Sequence, residues 1–162
     1  MTNSKVDALA ALFSAVDKDL SMEKFDDKLE VQKIAYLAQE YGIDLGYTFE
    51  WYIRGPYCKQ VSIDAHAILD SGIKASSPQS VGLDEEKLRS FAELLKPYVN
   101  ETEWLEIAGS LLYLKKESYS EDKFDQIIGY LLEDLTYGYK NFGESIVRKV
   151  IADMARLNFI AV

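Results

Sequence analysis

Apolar residues recur at three- and four-residue spacing along nearly the whole chain. Side chains spaced in this way fall on one face of an α-helix, and that face has to be buried against another element. The pattern therefore predicts a mainly α fold, a single compact bundle of about seven helices. The apolar sets of the seven helical segments begin with Val6, Val31, Val61, Leu88, Trp104, Phe124 and Ile146.

Glycine, proline and a capping pattern mark several helix ends. Gly42 and Gly72 follow the second and third segments, where a left-handed residue commonly ends a helix. Pro56 suits the first position of the third helix. Asn100, with Glu103 three residues later, is a variant of the capping box and predicts the start of the fifth helix.

One stretch departs from helical spacing. The residues from Tyr47 to Ile53 are mostly aromatic and β-branched, which is typical of a strand. A strand needs a partner, and the short apolar tail from Leu157 to Val162 is the best candidate within the chain. The sequence predicts a small β element on this basis and leaves open whether the strand pairs across a homodimer instead.

The length of 162 residues predicts one domain, residues 1–162. Turn-forming residues are concentrated only in residues 73–82, where Ser76, Ser77, Pro78 and Ser80 lie close together. The sequence therefore leaves open a division into an N-terminal unit with the strand, residues 1–75, and a C-terminal helical unit, residues 83–162.

The charge balance disfavours two classes of partner. The chain has 27 acidic and 18 basic residues, a net charge of −9, and the excess is spread along its length. Binding to nucleic acid draws most of its affinity from Lys and Arg at phosphates, so nucleic acid is disfavoured. An anionic membrane surface is disfavoured for the same reason. The acidic field suits a basic protein partner.

Cysteine content and hydropathy point to a reducing compartment. Cys58 is the single cysteine, which excludes a disulfide scaffold and a cysteine-rich zinc site. No apolar run approaches the ~18 residues that indicate a membrane span. A cytoplasmic protein without a membrane segment is the expectation.

The residue types needed for catalysis or metal binding are sparse. Cys58 and His66 are the single thiol and the single imidazole, and they stand eight residues apart. Along a helix this is about 2.2 turns, too far for contact between a nucleophile and its base. The sequence has no nucleophile elbow, no phosphate-binding loop and no paired-histidine zinc motif. It therefore predicts no catalytic residue, no metal and no cofactor.

Charged side chains at helical spacing are interpreted as solvated faces. Asp26, Asp27 and Glu30 form such a set among the acidic residues. A basic set near the C-terminal end is interpreted as cations that favour the last turns of a helix, with a phosphate-binding face as the alternative. This set consists of Arg148, Lys149 and Arg156.

The most concentrated feature is an aromatic cluster before the third helix. Trp, Tyr and Arg are the residue types enriched at binding hot spots, and Gly-Pro predicts a turn between them. The alternative is that the aromatic rings fill the core and that the arginine pairs internally, with Glu50 or Asp64. The candidate partner-binding residues are Trp51, Tyr52, Arg54, Pro56 and Tyr57.

Three blocks of sequence carry a family resemblance. From Lys28 to Gln39 the chain reads Lys-Leu-Glu-Val-Gln-Lys-Ile-Ala-Tyr-Leu-Ala-Gln, and from Trp51 to Tyr57 it reads Trp-Tyr-Ile-Arg-Gly-Pro-Tyr. With a third block, residues 104–116, these resemble the YwgA-type family of bacterial and archaeal proteins over roughly residues 26–150. Cys58 stands where that family usually has serine. The first two blocks are also similar to the SocA-like (Panacea) antitoxin domain.

The resemblance implies a mostly helical fold with a small β element and implies no established catalysis. Through the antitoxin domain it implies binding to another protein, and in that comparison the bound protein is a toxin. The leading hypothesis is therefore a non-enzymatic cytoplasmic protein-interaction module, antitoxin-like or regulatory.

Two other hypotheses are kept. One is a DNA-binding transcriptional regulator with a winged-helix-like element, in which the third helix would read the major groove through Lys59, Gln60 and His66. The other is an enzyme that uses carboxylates or Arg54, which would need a polar pocket with converging acidic side chains.

Overall fold

The computed structural model describes residues 4–52, 55–72, 77–117 and 142–159, and within them it is mainly helical. Two short 3₁₀ turns, Pro78–Val81 and Lys96–Tyr98, precede and follow the fourth helix. Two strands, β1 and β2, span Glu50–Tyr52 and Gly55–Tyr57. The six α-helices are α1 Ser4–Ala15, α2 Phe25–Tyr41, α3 Lys59–Ser71, α4 Glu85–Leu95, α5 Thr102–Glu117 and α6 Glu144–Arg156.

The mainly α prediction is confirmed, and the helix count differs from it. Six α-helices lie in the described residues, against about seven predicted. The predicted segment that begins at Phe124 falls in residues 118–141, outside the described residues. The last predicted segment is α6, in which Val147, Val150 and Met154 are buried on one face.

The small β element is a hairpin, and the described tail residues 157–159 do not pair with it; residues 160–162 of the predicted tail partner lie outside the described residues. β1 pairs antiparallel with β2, with Trp51 opposite Pro56. Residues of the tail that are described form the turn after α6 instead, where the Phe159 N–H donates to the Met154 carbonyl at 2.9 Å. Two residues separate the strands in sequence, and pairing segments this close together costs far less loop entropy than recruiting a distant tail.

The alternation of burial reaches beyond the hairpin ladder. From residue 43 to residue 52 buried and exposed side chains alternate with a period of two. The inner face consists of Ile43, Leu45, Tyr47, Phe49 and Trp51. The outer face consists of Asp44, Gly46, Thr48, Glu50 and Tyr52, all of them exposed.

Helix α2 contains a stretch of ten residues that is buried on all sides. Every residue from Leu29 to Ala38 is buried, and the helix contacts α5, α3 and β2. A helix that is covered on all sides must find partners for its polar side chains, because an unpaired buried charge is costly. Glu30, Gln32 and Lys33 are the polar side chains in this stretch, and each is held by a residue distant in sequence.

The interpretation of Glu30 as part of a solvated face was wrong. Its side chain is buried, and its two carboxylate oxygens accept hydrogen bonds from Lys18 Nζ and from Thr102 Oγ1. Lys18 also donates to Asn100 Oδ1 at 2.8 Å. The cluster joins the loop after α1 to α2 and to the start of α5. The Asn100 side chain, predicted to open the fifth helix, accepts this bond from Lys18, and α5 begins at Thr102.

Two helix ends follow the sequence prediction and one does not. Gly42 and Gly72 end α2 and α3 with φ of 114° and 65°, the left-handed conformation that glycine adopts without strain. Pro56 is not the first residue of α3. It lies in β2, and α3 begins after Cys58, whose backbone is extended. Proline is acceptable in this strand because only its carbonyl is needed there.

The end of α1 leads to a stability prediction. Asp17 has a φ of 54°, and the Lys18 N–H closes the turn on the Phe13 carbonyl at 3.0 Å. Glycine removes the Cβ strain of this conformation, and the substitution also removes a negative charge from the negative end of the helix dipole. We expect Asp17→Gly to raise the free energy of unfolding in urea by about 0.5 kcal/mol. Asp19→Gly makes the same charge change without a positive φ and should not raise it.

Candidate functional site

A groove of about 840 Å³ lies between the outer face of the hairpin and the first half of α3. We call it the hairpin groove. Its walls come from three parts of the chain, namely the start of α1, residues 46–52 and residues 57–63. Its exposed lining includes Lys5, Thr48, Glu50, Tyr52, Lys59 and Ile63.

Two tyrosines form an aromatic rim on this groove. Tyr52 and Tyr57 are diagonal neighbours across the hairpin, and their ring centroids lie 5.3 Å apart with an interplanar angle of 34°. Tyr52 is 58% exposed, whereas Tyr57 is half-buried. Ile63, 48% exposed, projects from α3 into the same groove. The rim therefore offers a large apolar surface with two phenol groups.

Two glutamines on α2 hold the backbone on either side of the hairpin. Gln32 Nε2 donates to the Cys58 carbonyl and Gln32 Oε1 accepts from the Cys58 N–H, both at 2.9 Å. Gln39 makes the same pair of bonds to the backbone of Tyr47, at 2.9 and 2.8 Å. The two glutamines are seven residues apart, about two helical turns, so both side chains leave α2 on one face. Each side-chain amide therefore makes the two hydrogen bonds, to a backbone N–H and to a carbonyl, that a residue of a neighbouring strand would make.

A lysine and two glycines allow the hairpin to lie close to the helices. Lys33 is buried, and its Nζ donates to the Pro56 carbonyl at 2.8 Å. Gly55 has a φ of 102°, and a Cβ at that position would lie 2.6 Å from Ser110 Oγ. A Cβ at Gly109 would lie 3.1 Å from the Lys33 side chain. The close approach of β2 to α5 therefore depends on the absence of side chains at both glycines.

The floor of the groove is a hydrogen-bonded network. Tyr47 donates its hydroxyl to Asp64 Oδ2 at 2.7 Å, and Gln60 Nε2 donates to Asp64 Oδ1 at 2.8 Å. Burial, with the adjacent Asp64 carboxylate, raises the pKa of Tyr47 far above its ordinary value, so the phenol remains a donor. Lys5 Nζ lies 5.5 Å from the centroid of the Tyr47 ring, within the range of a cation–π contact.

The five predicted partner-binding residues divide between two faces. Tyr52 and Tyr57 line the hairpin groove on its outer side, whereas Pro56 is buried. Trp51 also lines the groove, but it is half-buried and its ring packs on Tyr113, with ring centroids 5.5 Å apart. Arg54 lies outside the described residues. Two internal partners were considered for that arginine. Glu50 is exposed, whereas Asp64 already accepts hydrogen bonds from Tyr47 and Gln60.

The single thiol and the single imidazole lie in different environments. Cys58 is buried before α3, whereas His66 is exposed on α3. Gln60, one of the residues considered for reading DNA, donates its amide to Asp64. Within residues 4–52, 55–72, 77–117 and 142–159, no group of three or more His, Cys, Asp or Glu side chains could hold a metal ion. No helix among these residues is both long enough and apolar enough to cross a membrane.

The basic set near the C-terminal end is paired with carboxylates of its own helix. Arg148 Nε lies 3.0 Å from Glu144, and Lys149 Nζ lies 3.0 Å from Asp153. Arg156 lies 3.5 Å from the same Asp153 carboxylate and donates to the Tyr98 hydroxyl at 2.8 Å. The interpretation of this set as cations of the last helical turns holds for Arg156 alone, because Arg148 and Lys149 lie in the first half of α6.

Asp153 leads to a prediction about acid stability. Burial raises the pKa of this carboxyl, but hydrogen bonds from Trp104 Nε1 and Lys149 Nζ outweigh burial, and the pKa lies below its ordinary value. A lowered folded-state pKa contributes stability above the unfolded pKa, about 3.9, that is lost as the pH falls through the folded value.

We therefore expect Asp153→Asn to lower the free energy of unfolding at pH 7 and to have less effect as the pH falls from 4 to 2. Urea denaturation of both proteins across this range measures the difference. Asp70→Asn, on the exposed side of α3, controls for the loss of one charge. A difference between Asp153→Asn and the natural protein that stays constant down to pH 2 would contradict the prediction.

Sequence reasoning missed the residues that build the site around the aromatic cluster. Gln32, Lys33 and Gln39 belong to the first resemblance block, but no role was predicted for them. The available signal was weak, because α2 has eight charged or amide side chains and helical spacing does not single out these three. Lys5 and Ile63 carried no signal, because their place in the groove depends on how α1 and α3 pack.

Comparisons of the chain with protein-family models, with curated proteins and with solved structures found no match. The resemblance to the YwgA-type family and to the antitoxin domain therefore stays a prediction.

Proposed function

We propose that this chain is a non-enzymatic protein-interaction module that binds a segment of a partner protein in the hairpin groove. The observation that carries this proposal is the placement of exposed apolar side chains. Four large hydrophobic side chains are exposed among the described residues, and two of them, Tyr52 and Ile63, line this one groove. Apolar surface left in water beside a concave site is typical of a binding surface.

The support beneath the groove favours the same proposal. The backbone before and after the hairpin is held by Gln39 and Gln32, and β2 is held by Lys33. A surface that is already ordered loses little conformational entropy when it binds. The arrangement is therefore suited to recognition by a pre-formed surface.

The finer parts of the proposal rest on the sequence. The single cysteine favours a reducing compartment, so we place the protein in the cytoplasm. The resemblance to the antitoxin domain favours an antitoxin-like or regulatory role. Both would be tested by the identity of the partner that the hairpin groove binds.

Capture of the partner by the immobilised full chain, followed by titration with that purified partner, tests the proposal. We expect Tyr52→Ala and Ile63→Ala each to weaken binding at least about tenfold, the loss expected when a hot-spot side chain is truncated. Phe25→Ala and Leu69→Ala are matched controls, because these side chains are 58% and 41% exposed and lie outside the groove. Equal binding by all four variants would contradict the proposal.

A further inference from the structure

The two edges of the hairpin lie in different environments. β2 lies against α2 and α5, and its Pro56 carbonyl accepts a hydrogen bond from Lys33 Nζ at 2.8 Å. Among the described elements, the backbone of β1 lies close along its length only to β2. We call the side of β1 that is turned away from β2 the β1 edge.

A proline determines which backbone groups point to the β1 edge. In an antiparallel pair of strands, residue pairs that exchange two backbone hydrogen bonds alternate with pairs that exchange none. Trp51 stands opposite Pro56, which has no N–H, so this pair is of the second kind. The N–H and the carbonyl of Trp51 therefore point to the β1 edge. Phe49 directly precedes β1 and continues its alternation of burial, so its backbone groups point the same way.

The β1 edge is closed at Tyr47 and open beyond it. Both backbone groups of Tyr47 bond to the side chain of Gln39. In the part of the chain that the structure describes, no backbone hydrogen bond joins Phe49 or Trp51 to another residue. Open N–H and carbonyl groups along a strand edge are a template for pairing with another strand.

Glu50 disfavours a second copy of this chain as the added strand. Antiparallel pairing that uses Phe49 and Trp51 of both copies sets Glu50 directly opposite Glu50 of the second copy. Like charges in directly opposite positions destabilise a sheet. The Glu50 side chain is exposed and has no ion pair with a described residue. A strand of another protein with a basic residue at this position is complementary to it.

From these observations we infer that the partner segment binds as an extended strand on the β1 edge, with a basic side chain opposite Glu50. The inference rests on the proposed function, because alternate side chains of the added strand lie beside Thr48, Glu50 and Tyr52, which line the hairpin groove. The other side chains of the segment lie beside Phe49 and Trp51. These two aromatic residues are half-buried, so apolar side chains suit the positions opposite them.

Amide hydrogen exchange of the full chain, followed by NMR, tests whether the edge is open and is then filled. In the protein alone, the amides of Phe49 and Trp51 should exchange at least about tenfold faster than those of Glu50 and Tyr52, which bond within the hairpin. The probe is the peptide Ser-Thr-Val-Lys-Val-Thr-Ser at about 1 mM. Its binding should slow exchange at Phe49 and Trp51 at least about tenfold.

Two methylated peptides test whether the backbone makes the contact. In the inferred register, with the peptide lysine opposite Glu50, the N–H groups of the two valines donate to the β1 edge and those of the two threonines point away from it. Methylation of both valine nitrogens should weaken binding at least about tenfold, whereas methylation of both threonine nitrogens should weaken it less than about threefold. Equal losses would overturn the inference.

A charge exchange tests the position opposite Glu50. A peptide with Glu in place of the central Lys should bind the natural protein about threefold more weakly, and Glu50→Lys should reverse this order. Glu86→Lys makes the same change in net charge at an exposed position of α4 and should preserve the order. An unchanged order in Glu50→Lys, or a reversal in both variants, would contradict the assigned register.

The remaining outcomes separate this inference from the proposed function. Absence of peptide binding at about 1 mM, or protection of Phe49 and Trp51 that rises with protein concentration alone, overturns the inference. In either case, capture of a partner that is lost with Tyr52→Ala and kept with Phe25→Ala would still uphold the proposed function. Equal capture by these two variants would instead show that the proposed function has failed.

Discussion

Replacing Gly55 with alanine is expected to lower the free energy of unfolding by about 3 kcal/mol. Part of this loss comes from a φ of 102°, which residues with a Cβ adopt only with strain. The rest comes from crowding, because the new Cβ would lie 2.6 Å from the buried Ser110 Oγ and 3.4 Å from Lys33 Nζ. Urea denaturation of the variant and the natural protein measures the loss.

Two comparisons separate strain from crowding. Gly72→Ala has a φ of 65° and no neighbouring atom within 4 Å, so it should lose only about 1 kcal/mol. Ser110→Ala removes the crowding atom, and in that background Gly55→Ala should recover about 1–2 kcal/mol of the loss. Losses at Gly55 and Gly72 of the same size, or additive effects of Gly55→Ala and Ser110→Ala, would contradict the account of crowding.

Removing one member of the Lys18–Glu30 pair is expected to cost about 3–5 kcal/mol. The two side chains are 5% and 8% exposed, so a lone charge left in this place has little water around it. Lys18→Met leaves the Glu30 carboxylate with Thr102 as its donor, and Glu30→Leu leaves the Lys18 ammonium group beside Asn100. Either single variant should therefore unfold at a clearly lower urea concentration.

The double variant Lys18→Met/Glu30→Leu is the informative control. Replacing both members of a buried ion pair with apolar side chains is often neutral, so we expect stability within about 1 kcal/mol of the natural protein. Arg89→Met with Glu85→Leu alters a solvent-exposed pair on α4 and should have little effect in the singles or the double. A double variant as unstable as the sum of its singles would show that the buried charges do not depend on each other.

The sequence predicted the helices well and the contacts of their polar side chains poorly. Helical spacing predicted all six described helices, α1 to α6. The glycines that end α2 and α3 were also predicted. The same spacing grouped Glu30 with Asp26 and Asp27 as a solvated face, although Glu30 is buried. Spacing reports which residues share a face of one helix and contains no information on what covers that face.

The candidate site was predicted in part. The aromatic cluster was identified from composition alone, and Tyr52 and Tyr57 do line the hairpin groove. Trp51 lines it as well. Trp51 and Pro56 are more buried than Tyr52, because successive residues of a strand point to opposite sides of the sheet. The prediction treated these residues as one surface and so could not divide them.

Local patterns were sufficient to predict that this chain is mainly helical, which glycines end its helices, and where a short strand lies. Each of these depends on residues within a few positions of one another, where backbone preference and side-chain spacing act directly. Tertiary contacts decided the rest. Gln32 meets Cys58 across 26 positions of sequence, and Glu30 meets Thr102 across 72. No short-range pattern encodes such distances, so the buried polar contacts and the groove they support become visible only once the chain has packed.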